Sequence, residues 1–82
     1  MDKLVTKDNK GKTRVVEISC EWDDAQHGFV IRRKTYQYGG KVTVQPEIWI
    51  FQGKAKRTVA EQAKLEYNSH LKKYTDKGYK LL

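Results

Sequence analysis

The amino-acid sequence predicts a small α+β domain, an antiparallel β-sheet with one C-terminal helix packed across it. At 82 residues the chain is long enough for one hydrophobic core and too short for two. Residues 1–51 contain short segments in which apolar residues alternate with period two, separated by turns rich in Gly and Asn. After Thr58 the apolar spacing changes to three or four residues, the period of a helix. We therefore expect a single domain over residues 1–82.

The first two strands flank a turn. A short edge strand is expected around Leu4 and Val5, and residues 6–13 follow with an Asn-Lys-Gly centre that tolerates the positive φ of a turn. A second strand is predicted over residues 14–22, because its apolar residues alternate onto one face: Val16, Ile18, Cys20 and Trp22. Residues 23–28 form the next predicted turn.

The third strand, residues 29–37, has chemically different faces. Phe29 and Ile31 suit the core, whereas the even positions Arg32, Lys34 and Tyr36 point to the opposite side. The odd positions 33 and 35 are polar, so the strand is expected to bulge or leave the core there. The paired glycines of segment 38–41 predict a hairpin turn.

Two further strand segments are predicted over residues 42–44 and 47–51. Pro46 lies between them, and proline cannot donate a ladder hydrogen bond, so it is expected at a sheet edge or a bulge. Trp49 alternates with Ile48 and Ile50, which leaves two alternatives for its ring: core packing or an exposed stacking surface.

The helix is predicted over residues 59–76, after a basic loop at 52–57. Thr58 as N-cap and Glu61 at N3 fit a capping box, and Gly78 suits the C′ position. One apolar stripe steps by three or four residues: Ala60, Ala63, Tyr67, Leu71 and Tyr74.

Positive charge is concentrated in one segment. Residues 32–57 hold seven cations and one acid, a net charge of +6 in a molecule of net charge +7, and aromatic residues are interleaved with them. Cations for phosphates and flat rings for bases are typical of a nucleic-acid surface. The candidate nucleic-acid-binding residues are Arg32, Lys34, Tyr36, Tyr38, Lys41, Lys54, Lys56 and Arg57. An acidic protein surface as partner, or a merely solvated strand face, remain the alternatives.

Other classes of function find little support in the sequence. No Ser-His-Asp set or pair of carboxylates suits catalysis, and His27 and His70 lack metal-ligand spacing, so we expect no enzyme activity, no metal, no cofactor and no small-molecule substrate. The single Cys20 cannot form an internal disulfide. No apolar run of about 18 residues is present, so we expect no membrane association and a cytoplasmic location.

Three segments of the chain form a recognisable combination: the strand segment 29–34, the hairpin closing on Gly40 and Lys41, and the helix end at 72–79. Together they resemble a WGR domain, a module that accompanies DNA-break-responsive enzymes such as poly(ADP-ribose) polymerases. The chain is also similar to the WGR-like segment preceding some phage-type ATP-dependent DNA ligases. The motifs shared with that segment are residues 11–14, 40–43, 52–54, 61–63 and 77–79.

The resemblance implies a WGR-like fold and a DNA partner, either duplex, nicked or ended. The Trp-Gly-Arg triplet itself is replaced by the sequence at 35–41, so general DNA affinity is implied and recognition of ends is not. No Lys-x-Asp-Gly ligase motif is present. We expect a non-catalytic module that contacts the phosphate backbone independently of sequence and serves a larger DNA-processing or repair enzyme such as a DNA ligase. The rival hypothesis is an adaptor that docks on an acidic protein.

Overall fold

The computed structural model describes residues 1–82 as one six-stranded antiparallel sheet and one helix. The elements in chain order are β1 (Asp2–Lys7), β2 (Thr13–Asp23), β3 (Gly28–Gln37), β4 (Thr43–Val44), β5 (Ile48–Ile50), α1 (Val59–Asp76) and β6 (Lys80–Leu81). The strand order is β4-β3-β2-β1-β6, with β5 also paired to β3. Helix α1 packs across one face of the sheet, and the other face is open. The predicted α+β architecture is confirmed.

The central pair β2–β3 forms an unbroken ladder from Arg14 opposite Gln37 to Asp23 opposite Gly28. The bulge expected in β3 near positions 33 and 35 is therefore not there. The guanidinium of Arg33 stays on the helix side and donates to the Pro46 carbonyl oxygen at 3.3 Å. A long side chain with a hydrogen-bonding tip lets the strand continue without a break.

The irregularity lies instead in the segment that pairs with β3, at Pro46 between β4 and β5. Lys34 pairs with Val44, and Ile31 pairs with Ile48. Two residues of β3 therefore oppose three residues at 45–47, which is a bulge of one extra residue on the sheet edge. Because side chains alternate with period two, this extra residue turns Ile48 toward the helix and places Trp49 on the open face. The prediction of an edge or bulge at Pro46 is confirmed.

The core lies between α1 and the helix-facing side of the sheet. It is a cluster of buried residues from five elements: Leu4, Ile18, Ile31, Ile50 and Ala63. Tyr67 packs against it, with its hydroxyl 3.0 Å from the Ile18 carbonyl oxygen and 2.5 Å from a carboxylate oxygen of Asp2. Burial, followed by this carboxylate, raises the pKa of Tyr67.

Two residues assigned to the core by periodicity are exposed instead. Ala60 lies on the solvent side of the first helical turn, where Val59 packs against the core in its place. Trp22, the second-last residue of β2, is 46% exposed. Its ring packs edge-on against Phe29, and its Nε1 donates to Asp24 at 3.0 Å.

The helix begins and ends where the sequence predicts. The capping box is complete: the Glu61 amide donates to Thr58 Oγ1 at 3.1 Å, and the Thr58 amide donates to Glu61 Oε1 at 3.0 Å. At the C-terminus Gly78 adopts φ +96°. Its amide donates to Thr75, and the Tyr79 amide donates to Tyr74, a Schellman motif that reverses the chain.

This reversal creates the strand that is missing from the sequence-based prediction. Lys80 and Leu81 pair with Val5 and Leu4, so part of β1 is interior to the sheet rather than at its edge. Two residues are too few to show the alternation from which strands are predicted.

The helix, although 18 residues long, lacks the apolar character needed to cross a membrane.

The capping box is expected to contribute to the free energy of unfolding. Thr58→Ala removes the acceptor for the Glu61 amide and is expected to lower the free energy of unfolding by about 0.5–2 kcal/mol. Ser69→Ala, an exposed mid-helix change with no capping role, is the control and should shift it by about 0.5 kcal/mol or less. Urea denaturation of both variants provides the comparison, and equal effects would show that the cap contributes nothing.

Candidate nucleic-acid interface

Because successive strands are antiparallel, successive turns lie at opposite ends of the sheet. The β1–β2 turn and the β3–β4 turn lie together at one end, called here the hairpin end. The β2–β3 turn and the loop after β5 lie at the other, called here the aromatic end. The ten-residue ladder between β2 and β3 separates them by about 30 Å at roughly 3.3 Å per residue, within a molecule 45 Å long.

The eight predicted binding residues are divided by this geometry into three groups. Tyr38 and Lys41 lie at the hairpin end. Arg32, Lys34 and Tyr36 lie midway along β3 on the open face, as their alternation predicts. The cations of the loop after β5 lie at the aromatic end: Lys54, Lys56 and Arg57. The structure does not bring the eight residues together as one surface.

The two cations of the middle group, Arg32 and Lys34, form ion pairs with carboxylates. Arg32 Nε lies 2.7 Å from Glu47 Oε2, and Arg32 Nη1 lies 3.6 Å from Glu21 Oε2. Lys34 Nζ is 3.5 Å from Glu17 Oε1. Two of these three carboxylates, Glu17 and Glu21, belong to β2. A count of charge along residues 32–57 does not include them. The middle of the open face is therefore close to neutral.

Tyr36 takes part in the same network. Its hydroxyl donates to Glu17 Oε2 at 2.6 Å, and its ring is half-buried. This hydrogen bond, with Lys34 adding to it, lowers the pKa of Glu17 and keeps its carboxylate charged. The same bond raises the pKa of Tyr36. A ring held in this way is less available for stacking on a base than the sequence alone indicates.

The hairpin end carries a larger basic group than the sequence-based prediction includes. The turn of the first hairpin and the strands around it add cations to Lys41, forming a set called here the hairpin-end cluster: Lys7, Lys10, Lys12, Arg14, Lys41 and Lys80. Asp8 is the acid of this turn. Its carboxylate accepts the Lys10 and Lys12 amides at 2.9 Å and lies 3.6 Å from Arg14 Nε.

The remaining members of the hairpin-end cluster have no carboxylate within 4.0 Å. The Lys12 amide, followed by the Lys10 amide and Arg14, lowers the pKa of Asp8, whose charge is thus used inside its own turn. Six cations and one acid give this end of the molecule a strong local excess of positive charge. Such an excess raises the local concentration of polyanions.

Two shallow clefts run between the side chains of the hairpin end and meet at Arg14. One, of about 290 Å³, is lined by Arg14, Tyr36, Gln37, Gly40, Lys41 and Tyr79 among others. The second, of about 370 Å³, is lined by Asp8, Asn9, Lys10, Lys12, Arg14 and Gln37. Gln37 also donates to Asp8 at 3.1 Å, which joins the two hairpins. Cationic walls around an open cleft can hold phosphates of a polyanion.

The predicted order of strands contains a signal by which Lys10, Lys12 and Arg14 could have been included in the candidate site. In a meander of antiparallel strands the first and third turns lie at the same end of the sheet, so a basic first turn adds to a basic third turn. Counting charge by position along the chain conceals this relationship. No group of three or more His, Cys, Asp or Glu side chains is placed to hold a metal ion.

The aromatic end presents exposed rings. Trp49 and Phe51 are stacked with an interplanar angle of 4° and centroids 5.8 Å apart, and Phe51 is 57% exposed. Trp49 is half-buried on the open face, opposite Val30, so its ring is not part of the core beneath the helix. Of the two alternatives for Trp49, the position on the open face is the one observed.

Comparison of this chain with protein-family models, with curated proteins and with solved structures finds no match. The WGR-like resemblance therefore stays a prediction.

Proposed function

We propose that this chain is a non-catalytic DNA-binding module that contacts the phosphate backbone independently of sequence. The observation that carries the proposal is the hairpin-end cluster, in which six cations from two hairpins and β6 lie at one end of the sheet and only Arg14 is paired with a carboxylate. Its place in the cell would be beside a larger DNA-processing or repair enzyme, such as a DNA ligase. That part of the proposal rests on the WGR-like resemblance.

Backbone contact is favoured over base readout by the shape of the cluster. Its cations stand on turns and strand ends around open clefts, and Lys and Arg there can each meet one phosphate. Reading bases in the major groove requires a helix or a two-stranded ribbon inserted into it. The exposed side of α1 mixes Lys64 and Lys72 with Glu61, which does not suit close approach to DNA.

An adaptor that docks on an acidic protein is the second candidate. The same unpaired lysines favour it, since acidic side chains and phosphates are both drawn to exposed cations. The two candidates differ in how binding to DNA depends on salt, because DNA releases condensed counterions when its phosphates are neutralised.

The test is a salt titration of binding to a short duplex. A module with about five phosphate contacts should give a plot of log K against log salt concentration with a slope of roughly −4 to −5. Changing the duplex sequence should leave the affinity nearly unchanged. No detectable duplex binding at about 50 mM salt would rule out the DNA-binding proposal and leave the adaptor.

A further inference from the structure

The stacked rings of Trp49 and Phe51 form an aromatic platform at this end of the sheet. Phe51 lies directly over Gly28, where an added Cβ would come 2.6 Å from the Phe51 ring, so this close approach requires glycine. Trp49 stacks parallel to Phe51, with ring centroids 5.8 Å apart. Phe51 nevertheless remains 57% exposed, which leaves a flat apolar surface open to solvent.

Three cations follow this platform on one tight turn. The Arg57 amide donates to the Lys54 carbonyl oxygen at 3.0 Å and closes the turn. Ala55 and Lys56 adopt left-handed backbone conformations, with φ of +53° and +66°, which cost non-glycine residues roughly 1 kcal/mol or more each. Gly53 makes the turn possible, because any Cβ there would lie 1.7 Å from the Arg57 carbonyl oxygen.

The acids of the β2–β3 turn, at the same end of the sheet, and of the first helical turn are engaged in other contacts. Asp23 accepts the Gln26 amide at 2.9 Å, and Asp24 accepts Trp22 Nε1 at 3.0 Å, both within their own turn. Glu61 is held by the capping box. No carboxylate lies within 4.0 Å of the Lys54, Lys56 or Arg57 side chains. Arg57 Nη1 donates to the Lys54 carbonyl oxygen at 3.4 Å, within the same turn. The strained turn thus holds three cations without a carboxylate partner beside an exposed aromatic ring.

We infer that the aromatic end is a second site, separate from the hairpin-end cluster, that binds single-stranded DNA. Phe51 stacks on an unpaired base, and the cations at 54, 56 and 57 contact the adjoining phosphates. This inference rests on the proposed function, since it assigns a second class of DNA to the same module. A flat ring beside cations is the combination used by proteins that bind single strands without sequence preference.

Duplex DNA does not suit this platform, because its bases are already stacked on both faces. The hairpin end lies about 30 Å away at roughly 3.3 Å per residue, about nine base pairs at 3.4 Å each. A duplex held there would leave the aromatic end free for an adjoining unpaired strand. The preferred substrate is therefore a junction between duplex and single strand.

The test compares two labelled DNAs by fluorescence anisotropy: a ten-nucleotide oligothymidylate, and an eight-base-pair duplex whose strands are joined by a non-nucleotide linker so that it has no unpaired base. The duplex, about 27 Å long at 3.4 Å per base pair, is too short to reach from one end of the sheet to the other. Phe51→Leu keeps an apolar side chain over Gly28 but removes the ring. It should weaken oligothymidylate binding roughly 5- to 150-fold, as expected for loss of one base stack, and change duplex affinity less than about twofold.

A charge variant and its control complete the experiment. Lys54→Gln with Lys56→Gln should reduce the salt slope for the oligothymidylate by about 1.4, which is two contacts at roughly 0.7 each. Lys72→Gln with Lys73→Gln removes the same charge from the helix and should leave that slope nearly unchanged.

The outcomes separate this inference from the proposed function. If the protein binds the duplex but not oligothymidylate, or if Phe51→Leu binds oligothymidylate as tightly as the unaltered protein, the single-strand site is wrong and the duplex module stands. If the unaltered protein binds neither DNA, the proposed function itself is wrong.

Discussion

Ile31→Ala is expected to lower the free energy of unfolding by about 2–5 kcal/mol. Ile31 is completely buried in β3, where it pairs with Cys20 on one side and Ile48 on the other. Its side chain belongs to the cluster between sheet and helix, so truncation removes apolar contacts and leaves a cavity. For a small domain, whose total stability is only about 5–15 kcal/mol, this is a large fraction.

Urea denaturation compares Ile31→Ala with alanine substitutions of two leucines in α1. Leu71 is half-buried against the core, so Leu71→Ala should destabilise the protein less than Ile31→Ala. Leu65 is 48% exposed, and Leu65→Ala should have little effect, about 0.5 kcal/mol. If Ile31→Ala were no more damaging than Leu65→Ala, the packing of α1 on the sheet would be contradicted.

Local signals in the sequence were sufficient for most of the fold. The capping box, the helix from Val59 to Asp76 and the three turns between successive strands depend on residues close together in the chain, and all are observed. The bulge at Pro46 was anticipated for the same reason. Strand β6 was missed because its stability comes from pairing with β1, more than 70 residues away in the chain.

The candidate site was less predictable because surface charge depends on register. Lys34 faces Glu17 across the β2–β3 ladder, a relationship that no count along the chain reveals. The same register places Arg14 beside Gln37 and brings a second basic turn to Lys41. Of the six cations in the hairpin-end cluster, the sequence-based prediction included only Lys41. The pairing of strands decides which cations of the chain are neutralised and which are free.

The second large effect is expected from the hairpin-end cluster. Lys12 and Lys41 stand on different hairpins and have no carboxylate within 4.0 Å. Removing both should weaken duplex binding tenfold or more, because two phosphate contacts are lost. Arg32→Ala with Lys34→Ala should cost less, since Glu17, Glu21 and Glu47 already compensate those two cations.

The most direct test of a positioned site is therefore one comparison at equal net charge. Affinity for the eight-base-pair duplex is measured by fluorescence anisotropy for Lys12→Gln with Lys41→Gln, and for Lys54→Gln with Lys56→Gln. The first pair should lose tenfold or more and reduce the salt slope by about 1.8, which is two contacts at roughly 0.9 each. The second pair, also free of ion pairs but about 30 Å away along a ladder of roughly 3.3 Å per residue, should lose less than about threefold. Equal losses in the two variants would mean that net charge alone drives binding, and would contradict a DNA site at the hairpin end.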